Sequence, residues 1–268
     1  MTYLAFLVAT GFYLLVGPGG PLHSDAWYRA LRRRVDAIAP EAWLGFTLLV
    51  VVPCAVLGLV FAVLTELFGA AAMLLLGIPA LFFSFGRGDW AALVERFRAR
   101  AAAGDTEGAL LSLEDAGFGT FEAESAEEAG SAAACALLYE GFQRWFPPVF
   151  YFLLLGPLFA VAYRLIVMGA ADRYVPIGSL RHLVDWLPSR LFLLSLGIVG
   201  NFEALRGVLM DRALDADIAT DDMLWEGLEQ ALPSTNAVPA DQVVRVKEGV
   251  QRVLILWVVV ASVLVIVA

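Results

Sequence analysis

The sequence is poor in charge, in cysteine and in histidine. Charged residues make up 17% of its 268 positions, 60% are hydrophobic, and mean hydropathy is +0.76. Soluble domains carry about a quarter charged residues, so lipid rather than water is the solvent this composition suits. The two cysteines, Cys54 and Cys135, lie in very different surroundings, the first inside an uncharged block, which argues against a disulfide framework. The two histidines, His23 and His182, have no Cys or His at ligand spacing, so no His- or Cys-based metal site is expected. Basic residues are outnumbered 18 to 27, for a net charge of −9, which argues against nucleic acid as a partner. The first positive charge is Arg29, so no basic region precedes the first apolar run; the N-terminal segment is read as part of the mature chain. No nucleophile elbow, phosphate-binding loop, dinucleotide fingerprint or zinc-protease helix is present, and no cofactor is expected.

What the sequence has is long uncharged blocks. A spanning helix needs about 20 apolar residues. Residues 2–16 are uncharged but short, and end in Gly17-Pro18-Gly19-Gly20-Pro21, a firm helix stop; a membrane-embedded helix is expected there, with a re-entrant or interfacial piece as the alternative. Residues 43–64 and 67–85 read as a helical hairpin, kinked at Pro53. Residues 147–168 predict one further span, with Arg164 near its far end snorkelling to the interface. Residues 191–202 are too short to span alone and read as a half-span or a helix packed inside the bundle. Residues 254–268 close the chain, with 243–252 able to continue the same helix outward from a start at Pro239 and Asp241.

Between these blocks lie three polar segments. Residues 25–39 place Trp27, Leu31, Val35 and Ile38 at helical spacing beside Arg29, Arg32, Arg33 and Arg34, a basic amphipathic helix for a membrane surface. Residues 86–145 carry two apolar stripes, Trp90, Leu93, Val94, Phe97 and Leu137, Leu138, Phe142, Trp145. Asp105 or Thr106 is placed to cap a helix between them, and Glu122, Glu124, Glu127 and Glu128 precede the second stripe. Residues 207–248 are acidic, with Asp211, Asp215, Asp217, Asp221 and Asp222, and Thr220 in position to cap a helix bearing Met223, Leu224, Trp225 and Leu228. The expected fold is all-α: a polytopic membrane bundle of about five helices with small helical cytoplasmic segments. Its parts are an N-terminal membrane region 1–85, a helical cap 86–146, membrane helices 147–206, an acidic helical segment 207–248 and a C-terminal membrane helix 249–268. Arginine distribution assigns 25–39 and 86–145 to the cytoplasm. The segment after 168, with Arg173 and Arg181, then faces out, and the side of the C-terminus depends on whether the 191–205 region crosses.

Three places carry polar groups at the edge of apolar blocks. The run Val184-Asp185-Trp186-Leu187-Pro188-Ser189-Arg190-Leu191 puts Asp185 and Arg190 at the lip of a block, with Trp186 suited to the interface and Pro188 to the first turn of a following helix. It is either a polar site for an anionic or amide-bearing ligand, or a helix start capped by Asp185 and anchored by Arg190. Glu140 and Arg144 stand at i,i+4 spacing, as an ion pair on a solvated helix face or a site. Asn201 and Glu203 flank Phe202 at the end of a short block.

Three features in order carry a family resemblance: Arg29-Ala30-Leu31-Arg32-Arg33-Arg34-Val35 before the hairpin; Phe146-Pro147-Pro148-Val149-Phe150 leading to Leu155-Gly156-Pro157-Leu158-Phe159-Ala160-Val161-Ala162-Tyr163-Arg164; and the Asp185–Leu191 element. The chain resembles the AmpE family, inner-membrane regulators linked to β-lactamase induction, and more distantly the CobD/CbiB family of cobalamin biosynthesis. The first resemblance implies a regulatory, non-enzymatic protein of cell-wall recycling, a membrane-protein partner, and a muropeptide-like or other small amide ligand. The second implies an ATP- and Mg²⁺-dependent amide-forming synthetase. Those enzymes carry Glu-Asn-Thr and then Asp-Gly where this chain reads Tyr139-Glu140-Gly141-Phe142-Gln143-Arg144-Trp145. A ligase needs acidic groups to hold Mg²⁺ against phosphate, so the regulatory reading is the expectation.

Overall fold

Apolar residues without charge form helices whose length is then set by their breakers, and glycine and proline do that work here. The computed structural model describes residues 1–17, 23–38, 41–121, 123–170, 175–212, 215, 218–233 and 238–267. Pro18 to Pro21, Ala39, Glu122, Arg173 and Asp217, which the sequence reading used, lie outside the described residues. Those described are helical or irregular, with no strand among them. The fold class is all-α.

The chain forms two compact units, residues 1–88 with 144–185 and residues 89–143 with 186–268. In the first unit, α1 (Thr2–Val16) packs on α5 (Ala72–Ser84), with Phe12 edge-on to Phe82 at 5.0 Å. Between them in sequence come α2 (Ala26–Ile38), α3 (Ala42–Phe46), a π-helical segment Thr47–Val51 and α4 (Val52–Phe68). The π-helical segment ends two residues before Pro53 and includes Leu49, whose carbonyl lies four residues back from the pyrrolidine ring, and a widened turn there relieves the clash. Helix α4 ends at Gly69, whose φ of +57° is open to glycine, and a 3₁₀ turn Gly69–Ala71 leads into α5. Leu49, Val50 and Ala80 belong to one buried cluster with Tyr28, Val35, Val161, Leu165 and Ile166. A straight helix would separate Val50 from Ala80 by about 45 Å, so the chain folds back at Gly69. Helix α2 contributes Tyr28 and Val35 to that cluster, with Leu31 against it, while Trp27 and Ile38 of the expected stripe are exposed.

Residues 147–168 do not form one span. They form α9 (Phe146–Leu155) and α10 (Pro157–Ala170), parted at Gly156, which has φ +98° and donates its N–H to Phe152 O at 3.1 Å. The Tyr151 and Tyr163 rings stack at 5.7 Å, whereas twelve residues of straight helix would set them about 18 Å apart. The block is a helical hairpin, and its legs of 10 and 14 residues reach about 15 and 21 Å, short of a hydrocarbon core of about 30 Å. Pro147 and Pro148 sit in the first turn of α9, where a missing N–H is not missed.

In the second unit, α6 (Trp90–Ala102), α7 (Thr106–Glu114) and α8 (Ala126–Gln143) pack with α12 (Phe202–Asp211), α13 (Thr220–Ala231) and α14 (Pro239–Val267). Trp90, Leu93, Val94 and Phe97 are buried on α6, and Trp90 Nε1 donates to Leu137 O of α8 at 3.0 Å. Asp105 caps α7 by accepting from Gly108 N at 2.9 Å. Thr220 does not cap α13: the cap position is Ala219, and the buried Thr220 hydroxyl lies one residue inside the helix.

Helix α11 (Val175–Val199) contains Pro188 in its interior and runs through the boundary between the units. Residues 191–202 are therefore no separate short helix: up to Val199 they are the second half of α11, and Asn201 and Phe202 begin α12. Among the described residues two stretches, Ala42–Ser84 and Ser179–Val199, are long and apolar enough to cross a bilayer, where about five membrane helices were expected.

Candidate functional site

Proline inside a helix withholds the N–H that the carbonyl four residues earlier would accept from. For Pro188 that carbonyl belongs to Val184. Tyr151 supplies the missing donor: its hydroxyl donates to Val184 O at 2.7 Å. Helix α11 passes through Pro188 because α9 brings a phenol to the gap. The expectation that Pro188 opens a helix and that Asp185 caps it is thereby corrected, since both lie inside one.

Asp185 is fully buried. Tyr163 of α10 donates its hydroxyl to Asp185 Oδ1 at 2.7 Å, and Arg181, one turn earlier on α11, places Nε 4.0 Å from Oδ2. A buried carboxylate needs such company, since charge without partners is costly away from water. Beside this pair an apolar groove of about 510 Å³ is lined by Phe46, Val50, Cys54, Gly58, Leu158 and Phe159, with Tyr151, Tyr163 and Val184 on its wall. The groove thus has carbon on most of its surface and the Tyr163–Asp185 pair behind one side.

The other residues named from the sequence are dispersed. Asp185 and Arg144 belong to the first unit; Trp186, Arg190, Glu140, Asn201 and Glu203 belong to the second. Arg190 is buried, donates through Nη2 to Asp215 O at 2.7 Å and through Nη1 to Ser189 Oγ at 3.1 Å, and stacks over Trp186 at 4.7 Å. Arg144 donates through Nη2 to Arg87 O at 2.8 Å and Gly88 O at 2.7 Å, and Gly86 N donates back to Arg144 O at 2.7 Å. A Cβ on Gly86 would stand 2.3 Å from that of Arg144, so only glycine fits this crossing. Glu140 is half-buried on α8. Asn201 caps α12, its Oδ1 accepting from Ala204 N at 3.1 Å, and Glu203 is exposed in the first turn, where a negative charge suits the helix start.

Comparison of the chain with family models, with curated proteins and with solved structures gives no match.

A second polar constellation escaped sequence reading. Asp25, just ahead of α2, is 13% exposed and lies between two guanidiniums. Arg87 donates through Nε to Asp25 Oδ1 at 2.9 Å, and Arg164 through Nη2 to Oδ2 at 3.0 Å. Arg164 therefore does not snorkel away from the protein. Arg87 also contacts His23 Nε2 and donates through Nη1 to Phe85 O at 2.6 Å. Burial, followed by the neighbouring charge of Arg164, lowers the Arg87 guanidinium to about 10. Asp25 and Arg164 are 139 positions apart; only the hydrophobic periodicity of 25–39 hinted that Asp25 begins a helix.

Proposed function

We propose that the chain is a multi-pass protein of the bacterial inner membrane with a regulatory or sensory role of the AmpE type, acting in β-lactamase induction and cell-wall recycling signalling without catalysing a reaction. The observation that carries the membrane part is the surface of the first unit. Along α4 no residue is buried, and Leu59 is 67% exposed, with Val56, Val63 and Leu67 also bare. Removing such surface from water is worth about 25 cal/mol per Å², and a bilayer is the environment that removes it along the outward face of the helix, opposite Cys54 and Leu57. Helix α2 presents Arg29, Arg33 and Arg34 outward, as suits anionic headgroups.

The regulatory part rests on the resemblance set out above and on how the first unit uses its acids. Asp25 holds two arginines, and Asp185 accepts from a tyrosine. Carboxylates so engaged suit recognition and positioning better than the binding of Mg²⁺ against phosphate. In this reading an amide-bearing, muropeptide-like ligand lays its apolar part in the groove and its polar part toward Tyr163 and Asp185, and a membrane protein receives the signal.

Two measurements test the proposal. After alkaline carbonate washing, the protein is expected to stay with the membrane pellet; release into the supernatant sinks the membrane reading. In a strain lacking the gene, the wild-type chain is expected to restore β-lactamase induction and Asp185→Asn to fail at equal abundance. Full restoration by that variant ends the role of Asp185, and saturable Mg²⁺-dependent ATP binding by the purified protein would turn the reading to an amide-forming synthetase.

A further inference from the structure

The Asp25 constellation carries one negative charge and two positive ones. Asp25 is a single carboxylate shared by Arg87 and Arg164, whose side chains are 17% and 15% exposed. His23, whose Nε2 contacts Arg87 Nη1, brings no negative charge to the count. Phe83 lies under the Arg87 guanidinium at 4.9 Å, and Phe82 packs against His23 at 4.7 Å. One positive charge is thus left over in a largely desolvated place, where charges are ordinarily paired.

The nitrogens of Arg87 face Asp25, His23 and Phe85 O, and the spare donors of the pair are those of Arg164. Arg164 has five N–H donors, and one of them, on Nη2, goes to Asp25. Its Nε is buried and has no hydrogen-bond partner among the described residues. Planar guanidinium forks are suited to the oxygens of a phosphate or carboxylate.

We propose that Arg87 and Arg164, held apart by Asp25, form a binding site for one phosphoryl oxyanion, from either a lipid headgroup or a soluble phosphate ester. The site lies in the first unit and is separate from the Asp185–Tyr163 pair, and it does not depend on the regulatory reading. Asp25 has a defined part in it: the carboxylate positions both guanidiniums and also competes with the ligand for them. Replacing it by an amide keeps an acceptor oxygen for one arginine and removes the competing charge.

The test is calorimetric titration of the full-length, detergent-purified protein with inorganic phosphate and, separately, with short-chain phosphatidylglycerol, at low ionic strength. Asp25→Asn is expected to bind about tenfold more tightly and Arg164→Gln at least about tenfold more weakly, as charge-assisted bonds to an anion gain or lose strength. Arg164→Lys should fall between, because it keeps the charge and loses the fork. Tighter binding by Asp25→Asn cannot be produced by misfolding, so it separates the site from mere structural need. Binding of phosphatidylglycerol without inorganic phosphate makes the lipid the source; binding of both makes the site a general phosphate receptor. If neither probe binds the wild-type protein or Asp25→Asn, or if both bind with affinities indifferent to Asp25→Asn and Arg164→Gln, the proposal is overturned.

Discussion

Tyr151 and Pro188 form a unit of sense that neither residue has alone. The proline removes a donor from α11 and the phenol returns one, at 2.7 Å from Val184 O. The coupling is measurable. Tyr151→Phe should cost about 1 kcal/mol in an otherwise wild-type chain, the usual worth of such a bond. On a Pro188→Ala background, where residue 188 again donates to Val184, the same change should cost close to nothing. Thermal unfolding of the four proteins in detergent measures the difference, and equal losses in both backgrounds would dispose of the idea. A second expectation at this scale concerns Cys135 on α8. Burial pushes its thiol up to about 12, with Asp221, Asp222 and Glu229 adding to the effect. The thiolate is the reactive form, and a raised thiol stays protonated at pH 8. Cys135 in the folded protein should therefore react with a disulfide reagent at least about a hundredfold more slowly than a free thiol, and recover ordinary reactivity on unfolding. Fast labelling of the native chain would contradict the assignment.

At the scale of the element, the α9–α10 hairpin has the largest consequence. A single span over 147–168 would place Trp145 and Ala170 on opposite sides of a bilayer. A hairpin returning at Gly156 places them on the same side. Reporter fusions after Trp145 and after Ala170 should give the same topology signal in the proposed membrane setting; opposite signals would restore the single span. The break was written in the sequence as Gly156-Pro157, a glycine and proline pair that commonly marks a turn. The uninterrupted apolarity around it outweighed that mark. The opposite happened at Pro188, where a proline read as a helix start lies within α11. What decided the two cases was tertiary: Gly156 adopts φ +98°, and Tyr151 rescues the α11 ladder. Amphipathic stripes were more legible. Trp90, Leu93, Val94 and Phe97 share a buried face, as do Leu137, Leu138 and Phe142, because each stripe records a helix face directly in its spacing.

For the whole molecule, charge and apolarity along the chain mark some junctions and not others. The two units exchange the chain at 88/89 and 143/144, close to where polarity changes, and again at 185/186, inside α11, where the helix continues unbroken. The residues expected to share one polar lip, Asp185, Trp186 and Arg190, fall on either side of that last junction. The Asp25–Arg87–Arg164 constellation was illegible for a different reason: its members are separated by 62 and 139 positions, and spacing along the chain says nothing about such meetings. The all-α class followed from block lengths, while the number of crossing helices depended on where glycines turn the chain. One earlier feature bears on how this chain can change its length. A π-helical turn is an α-helix that has absorbed an extra residue. Thr47–Val51 is therefore a slack coil in the rod: losing one residue there would let the turn tighten to α geometry without shifting the partners on either side, whereas the same loss inside α4 would rotate every later side chain of that helix by about 100°.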